Sequence, residues 1–426
     1  MTESPLEGRT IYMPPMSYSG VSMLAAAFRS IGVDAKLTPK SNQETLELGG
    51  RYTSGEECLP EKVTLGDILR VTRQEGFDPK KTAYLMPTAD GPCRFGQYRS
   101  LLRKVLDDLG YQDILLFSPS SADGYQGFGE NAAVFIRTAW RAVLIGDLMT
   151  KALLRTRPYE TEKGAADAAF EASLKRMGDI AGEKYTSTGQ QMKALIAGLR
   201  ECRRDFEAVP ADYSEPRLLI GVVGEIFCRL NDYSNSDTIR KLEEYGCEAW
   251  LSDVAEWMFY TNDEVFLRLN DAGKGWWHPA MWKARLQNYV QHREEHQIYS
   301  TFDGYFVGVE EPESIRVILD ASEPYLPQQG ALGEMVLSTG KAIFAHGRGA
   351  DGIVDISPFT CMNGIVTQAV YTKVSQDHDD IPIRSFFFDG ISADLDRDVG
   401  IFAELARAYS KRKKHQRKWK PPVEAV

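Results

Sequence analysis

Three cysteines stand beside glycine, proline or polar turn residues, where a chain changes direction. They occur in Gly55-Glu56-Glu57-Cys58-Leu59-Pro60, in Gly91-Pro92-Cys93-Arg94-Phe95-Gly96-Gln97-Tyr98 and in Ser357-Pro358-Phe359-Thr360-Cys361-Met362-Asn363-Gly364. A packing cysteine sits among apolar neighbours and behaves as a small hydrophobe. A thiolate that grips a soft metal prefers a turn or helix N-terminus, whose free N–H groups steady its charge. Three such places suggest three loops converging on one soft-ligand centre, with an iron–sulfur cluster short of one cysteine as the favoured occupant. The plainer alternative is three unrelated buried cysteines, since no compact C-x-x-C array is present.

Charged residues accompany these sites. Glu56 and Glu57 flank Cys58, where they donate a proton, orient a ligand or merely cap the following helix. Arg94 and Gln97 beside Cys93 are placed to hydrogen-bond sulfur or a bound oxygen. Glu225, Arg229 and Asn231 follow the apolar run 217–224. Glu225 suits proton handling and Arg229 suits a forked grip on an anion; a salt bridge closing the loop is the competing reading. Cys202, Cys228 and Cys247 read as packing residues. His292 and His296 lack the H-E-x-x-H order of a zinc helix, because Arg293 stands where Glu is required. The stretch Gly333 to Lys341 lacks the glycine spacing and final hydroxyl of a phosphate loop, so no ATP site is expected.

The elements that must carry these residues alternate. Strands are expected at 10–13, 34–37, 83–86 and 114–117, with helices between them. A second such series begins at 217–224 and continues at 247–250, 352–356 and 382–388. Strands followed by helices imply parallel sheets, and ligands of open α/β sheets sit at the carboxyl ends of the strands. The expected fold class is therefore α/β: two flavodoxin-like (Rossmann-like) parallel-sheet domains with a helical insertion between them and the cluster in the interdomain cleft. The boundaries are 1–128 for an N-terminal α/β domain carrying Cys58 and Cys93, and 129–215 for a helical linking region. A second α/β domain carrying Cys361 spans 216–400, and a helix end with a basic tail spans 401–426.

At 426 residues, with 43% apolar and 26% charged content, the chain is long enough for two or three cores. Its net charge of −10 argues against a nucleic-acid partner. No apolar run suits a membrane span, and the first residues lack the basic-then-apolar pattern of a secretory signal. Six cysteines in such a length are no disulfide scaffold, and a cytoplasmic setting is expected. The segment 411–420 carries seven positive charges and reads as a solvated tail, with docking to an acidic partner as the alternative.

Taken in order, the blocks GEECLPEK (55–62), GPCRFGQY (91–98), TRPYE (156–160), GEIFCRLNDYSN (224–235), GEMVLSTGKAI (333–343) and ISPFTCMNGI (356–365) make the chain resemble the 2-hydroxyacyl-CoA dehydratase and benzoyl-CoA reductase family. The resemblance is nearest to the C-terminal part of large acyl-CoA dehydratase activase-related proteins. It implies a [4Fe–4S] cluster held by Cys58, Cys93 and Cys361, with Glu57, Arg94 and Glu225 handling protons and orientation. It implies an iron–sulfur electron acceptor performing low-potential radical dehydration or reduction. The alternatives are a reductase of small non-CoA substrates and a non-catalytic electron-transfer or assembly scaffold. Expected partners are an ATP-dependent activase on a separate chain, a homologous subunit or second copy, and an acyl-CoA substrate. Two departures bear on proton roles: Asp67 follows Gly66 where relatives often carry histidine, and Ser322-Glu323-Pro324 replaces a His-Glu-Pro run.

Overall fold

Short apolar segments punctuated by glycine and proline become strands, and those buried on both faces lose the alternation of a half-exposed strand. The computed structural model describes residues 5–88, 91–118, 128, 131–391 and 394–422. The first sheet contains β1 (Thr10–Met13), β2 (Asp34–Leu37), β3 (Thr82–Leu85) and β4 (Leu115–Phe117) in the order β2-β1-β3-β4. The second contains β5 (Leu218–Gly224), β6 (Cys247–Leu251), β7 (Gly352–Pro358) and β8 (Ile383–Phe388) in the order β6-β5-β7-β8. All neighbouring strands are parallel. The architecture is thus Rossmann-like, with two parallel-sheet domains separated by a helical stretch. The boundary placed after residue 128 and the end of the tail at 423–426 meet residues outside the described set.

The helical stretch comprises Ala132–Thr156, Ala165–Gly182 and Thr188–Glu207. A second helical excursion separates β6 from β7, with helices Val254–Asp271, Pro279–Tyr299, Ile315–Ser322 and Glu334–Gly347. It was not expected as a region of its own. Helix Ala132–Thr156 carries buried basic residues that meet acids from the second half. Arg155 pairs with Glu248 at 2.7 Å, Arg141 pairs with Glu294, and Lys151 pairs with Glu311. Glu311 also takes Lys341 and the Trp250 indole N–H. These buried pairs fasten the helices to the second sheet by fixed geometry.

The basic tail is a correction. Lys411, Arg412, Lys414, Lys418 and Lys420 are exposed as expected, but Lys413 meets Asp351 at 2.7 Å and Arg417 meets Glu248 at 2.6 Å, both pairs buried. Arg155 donates to the Lys420 carbonyl at 2.7 Å. Two residues of the positive run are drawn inward by buried carboxylates, Lys413 by Asp351 and Arg417 by Glu248, which it shares with Arg155.

The two halves meet through a small apolar cluster of Leu59, Val63 and Phe227, joined by Met16, Leu46, Tyr233 and Phe388. Asn231 spans the same junction, donating to the Pro15 carbonyl at 3.0 Å. Helices Gln43–Arg51 and Leu59–Val71 touch at Gly49 and Gly66, where an added Cβ would lie 1.9 and 1.8 Å from Lys62 and Thr45 carbonyl oxygens. That close approach positions the helix headed by Cys58. No described helix is long and apolar enough to cross a membrane.

Candidate functional site

Each sheet changes winding direction between its two central strands, β1/β3 and β5/β7, and a crevice forms outside the carboxyl ends there. Glu225 follows β5 directly. Gly224 has φ +118, and a Cβ there would lie 2.1 Å from the Ile356 carbonyl, so only glycine lets β5 leave the sheet beside β7. Glu225 then caps the short helix Ile226–Leu230, accepting from the amides of Phe227 at 3.0 Å and Cys228 at 2.7 Å. Cys361 follows β7 and occupies the cap position of helix Met362–Asp377. Cys58 caps Leu59–Val71 with extended backbone, and Cys93 lies just before helix Phe95–Asp108.

The three thiols share acidic neighbours. Glu225 bears electrostatically on Cys58, Cys93 and Cys361, Glu61 on the first two and Glu334 on the last two. Burial pushes Cys58 up to about 11, opposed by a 2.7 Å hydrogen bond with the Tyr98 hydroxyl. Burial and then Glu225 push Cys361 up to about 12, and burial also raises Cys93, the exposed member. All three are therefore neutral thiols at pH 7.

The acids are perturbed too. Glu334 accepts from the Ile226 amide at 2.7 Å and from Asn363 Nδ2 at 2.9 Å. Burial, then the charge of Glu225, lifts it to about 8. Burial raises Glu225 against its two amide donors and Arg229. Glu61 rises to about 7, through burial and then Glu57. Arg229 is buried, and its Nε has no hydrogen-bond partner. Among the described residues its guanidinium makes no ion pair. It lines a narrow cavity with Asp253, Glu256, Trp257, Glu334 and Ser338.

Other expected residues sit at the edge. Glu57 spends its carboxylate on the Ser54 and Gly55 amides and the Ser54 hydroxyl. Burial acts upward on it, but those bonds prevail and lower its pKa. Arg94 donates to the Glu56 carbonyl and holds Glu61 down. Cys202, Cys228 and Cys247 are buried free thiols. Asp67 accepts from Ser41 at 2.7 Å and Thr45 at 2.8 Å, joining two helices. Glu334 was missed by sequence reasoning. Its available signal was the repeated pair Gly224-Glu225 and Gly333-Glu334, since both glutamates follow a glycine of positive φ.

The expected [4Fe–4S] cluster is corrected. Among the described residues, the one group of three His, Cys, Asp or Glu side chains with ligand atoms within 4.8 Å of one another is His346, Asp379 and His415. It contains two imidazoles and a carboxylate, and Cys58, Cys93 and Cys361 form no such group. In the folded chain, burial and the carboxylates Glu61, Glu225 and Glu334 also raise these thiols rather than lowering them. The readings built on the cluster fall with it: electron acceptance, radical dehydration or reduction, and an iron–sulfur scaffold.

His346 is 5% exposed, and its Nε2 lies 3.5 Å from Asp379 Oδ2 without a hydrogen bond. Burial, then the charges of His378 and His415, push it down to about 4, so it is a neutral imidazole. The chain matches no protein-family model, and no curated protein matches it.

Proposed function

We propose that the crevice is the active site of a proton-transfer enzyme acting on a small oxyanion-bearing molecule such as a carboxylate. The observation that carries this reading is the unpaired, buried Arg229 beside two perturbed glutamates, Glu225 just after β5 and Glu334 at the start of helix Glu334–Gly347. Arg229 supplies a forked grip for the anion, whose charge answers the surrounding acids. Glu334, protonated at neutral pH, is the general acid. Glu225, fixed by two backbone amides, is the general base and the source of the field that keeps Glu334 protonated. Cys58, Cys93 and Cys361 form a polarizable wall of neutral thiols, with Cys93 reachable from solvent.

The same reading treats both halves as flavodoxin-like and keeps the family resemblance as a proposal of common descent and fold. Any partner chain, whether an ATP-dependent activase or a homologous subunit or second copy, would meet the crevice rim. Phe359, Met362 and Ile365 beside Cys361 are exposed there.

The test is solvent-deuterium exchange into a panel of small keto and hydroxy acids, followed by nuclear magnetic resonance with wild type, Glu334→Gln and Arg229→Met. Exchange that both variants lose supports the reading. A panel with no exchange and no ligand-induced rise in melting temperature would sink it.

A further inference from the structure

We propose that His346, Asp379 and His415 form a zinc site that clasps the basic tail to the second half of the molecule. The three ligands come from three separate places. His346 ends helix Glu334–Gly347, Asp379 follows helix Met362–Asp377, and His415 belongs to the tail after helix Leu395–Ser410. Their ligand atoms already lie within 4.8 Å of one another, so little rearrangement is needed.

A second observation points to a ligand. His346 is buried, and its Nε2 has no hydrogen-bond partner although it faces the Asp379 carboxylate. A buried ring nitrogen left so is costly unless something accepts its lone pair or its proton. Around it, the rings of His378 and His415 stand edge-on at 5.3 and 4.9 Å. His378 turns its Nδ1 to the Val374 carbonyl at 2.7 Å and is not one of the clustered ligands.

The carboxylate is oriented as a metal ligand should be. Lys414 donates to Asp379 Oδ1, leaving Oδ2 toward His346. Arg412 donates to the Asp379 and Asp380 carbonyls at 3.2 and 3.3 Å, bringing the tail over the same turn. Two imidazoles and one carboxylate suit Zn²⁺, with water in the fourth position. The site lies outside the crevice and requires nothing of the crevice chemistry.

The experiment uses the full chain freed of metal by a chelator and titrated with ZnCl₂ by calorimetry, alongside His415→Ala. His415 is exposed, so this variant keeps the fold, and any zinc taken by thiols is common to both proteins. Wild type should bind one more equivalent than the variant, at an affinity about 100-fold or more above residual binding. Zinc should also slow tryptic cleavage after Lys411, Arg412 and Lys414 in wild type only. Equal zinc uptake by the two proteins, or zinc-independent cleavage of wild type, overturns the proposal.

Discussion

The two sheets share one strand order, yet they reach the crevice differently. The second sheet has strands of up to seven residues and delivers Glu225 at the first position after β5. The first has strands of three or four residues and reaches Cys93 only after an intervening loop beyond β3. Behind the second sheet lies a set of buried ion pairs; behind the first, the nearest counterpart is Asp67 with its two hydroxyl donors and a longer contact to Arg70 at 3.9 Å. The second half is thus the rigid acid wall, and the first supplies two thiols on loops. A repeated topology fixes where a ligand sits, but the strand-end loops decide which chemistry each wall offers.

The largest effect should come from the charge set of the second half. Glu248→Ala leaves Arg155 and Arg417 buried without their carboxylate, at a cost of about 3–5 kcal/mol by urea denaturation. Asp67→Asn in the first half keeps much of its hydrogen bonding and should cost only about 1 kcal/mol. The reverse order would break the comparison.

The next effect is in pH dependence. Glu334 has a folded pKa of about 8 against an ordinary 4.5. Its contribution to stability is complete below pH 4.5 and is lost as pH rises through about 8, because the unfolded chain releases the proton first. Glu334→Gln removes that loss and should gain roughly 1–2 kcal/mol over wild type at pH 8.5. Glu311 has the opposite sign. Although burial acts upward on it, Lys151 and Lys341 hold it at about 2, so its contribution is present above pH 4.5 and lost as pH falls toward 2. Denaturation midpoints of wild type and Glu334→Gln from pH 5 to 9 measure the first trend. Parallel curves would remove Glu334 as the proton donor.

Thiol labelling sharpens the contrast further. Iodoacetamide followed by mass spectrometry should modify exposed Cys93 before Cys58 and Cys361, whose pKa values are about 11 and 12. Tyr98→Phe removes the bond that lowers Cys58 and should slow its labelling further. Faster labelling of Cys361 than Cys93 would invert the assignment of walls. The smallest change is expected at exposed i,i+4 pairs: Lys175→Ala, which frees Asp179, should shift stability by less than about 0.5 kcal/mol.

Much of the scaffold was legible. The strands at Thr10–Met13 and Asp34–Leu37 coincide with the expected ranges, because flanking glycines and prolines mark such short segments. Helix Pro279–Tyr299 shows no clean apolar stripe: it buries Gln291 and Glu294 together with Met281 and Ile298, so its surroundings as an inserted layer were hidden. The positions of Glu225 and Cys361 after strands were also readable, whereas Cys58 follows helix Gln43–Arg51 rather than a strand. What fills the space between them was not, since charge state depends on burial and on Glu334, which only the folded chain brings near. Asp379 and His415 escaped for the same reason, lying in segments separate from His346 with no local motif.

The inward-folded tail sets a timetable for the nascent chain. Arg417 reaches Glu248 across 169 residues, and Arg155 reaches the Lys420 carbonyl across 265. At about 5–20 residues per second, several seconds or more separate the synthesis of Glu248 from that of Arg417. During that interval Arg155 and Glu248 have each other but lack the tail that completes their enclosure, and both must stay wet. The second half therefore closes late, by a long loop closure rather than by neighbouring contacts. A ribosome-bound chain halted before residue 417 should expose this pair to protease and solvent, whereas one released after residue 420 should not.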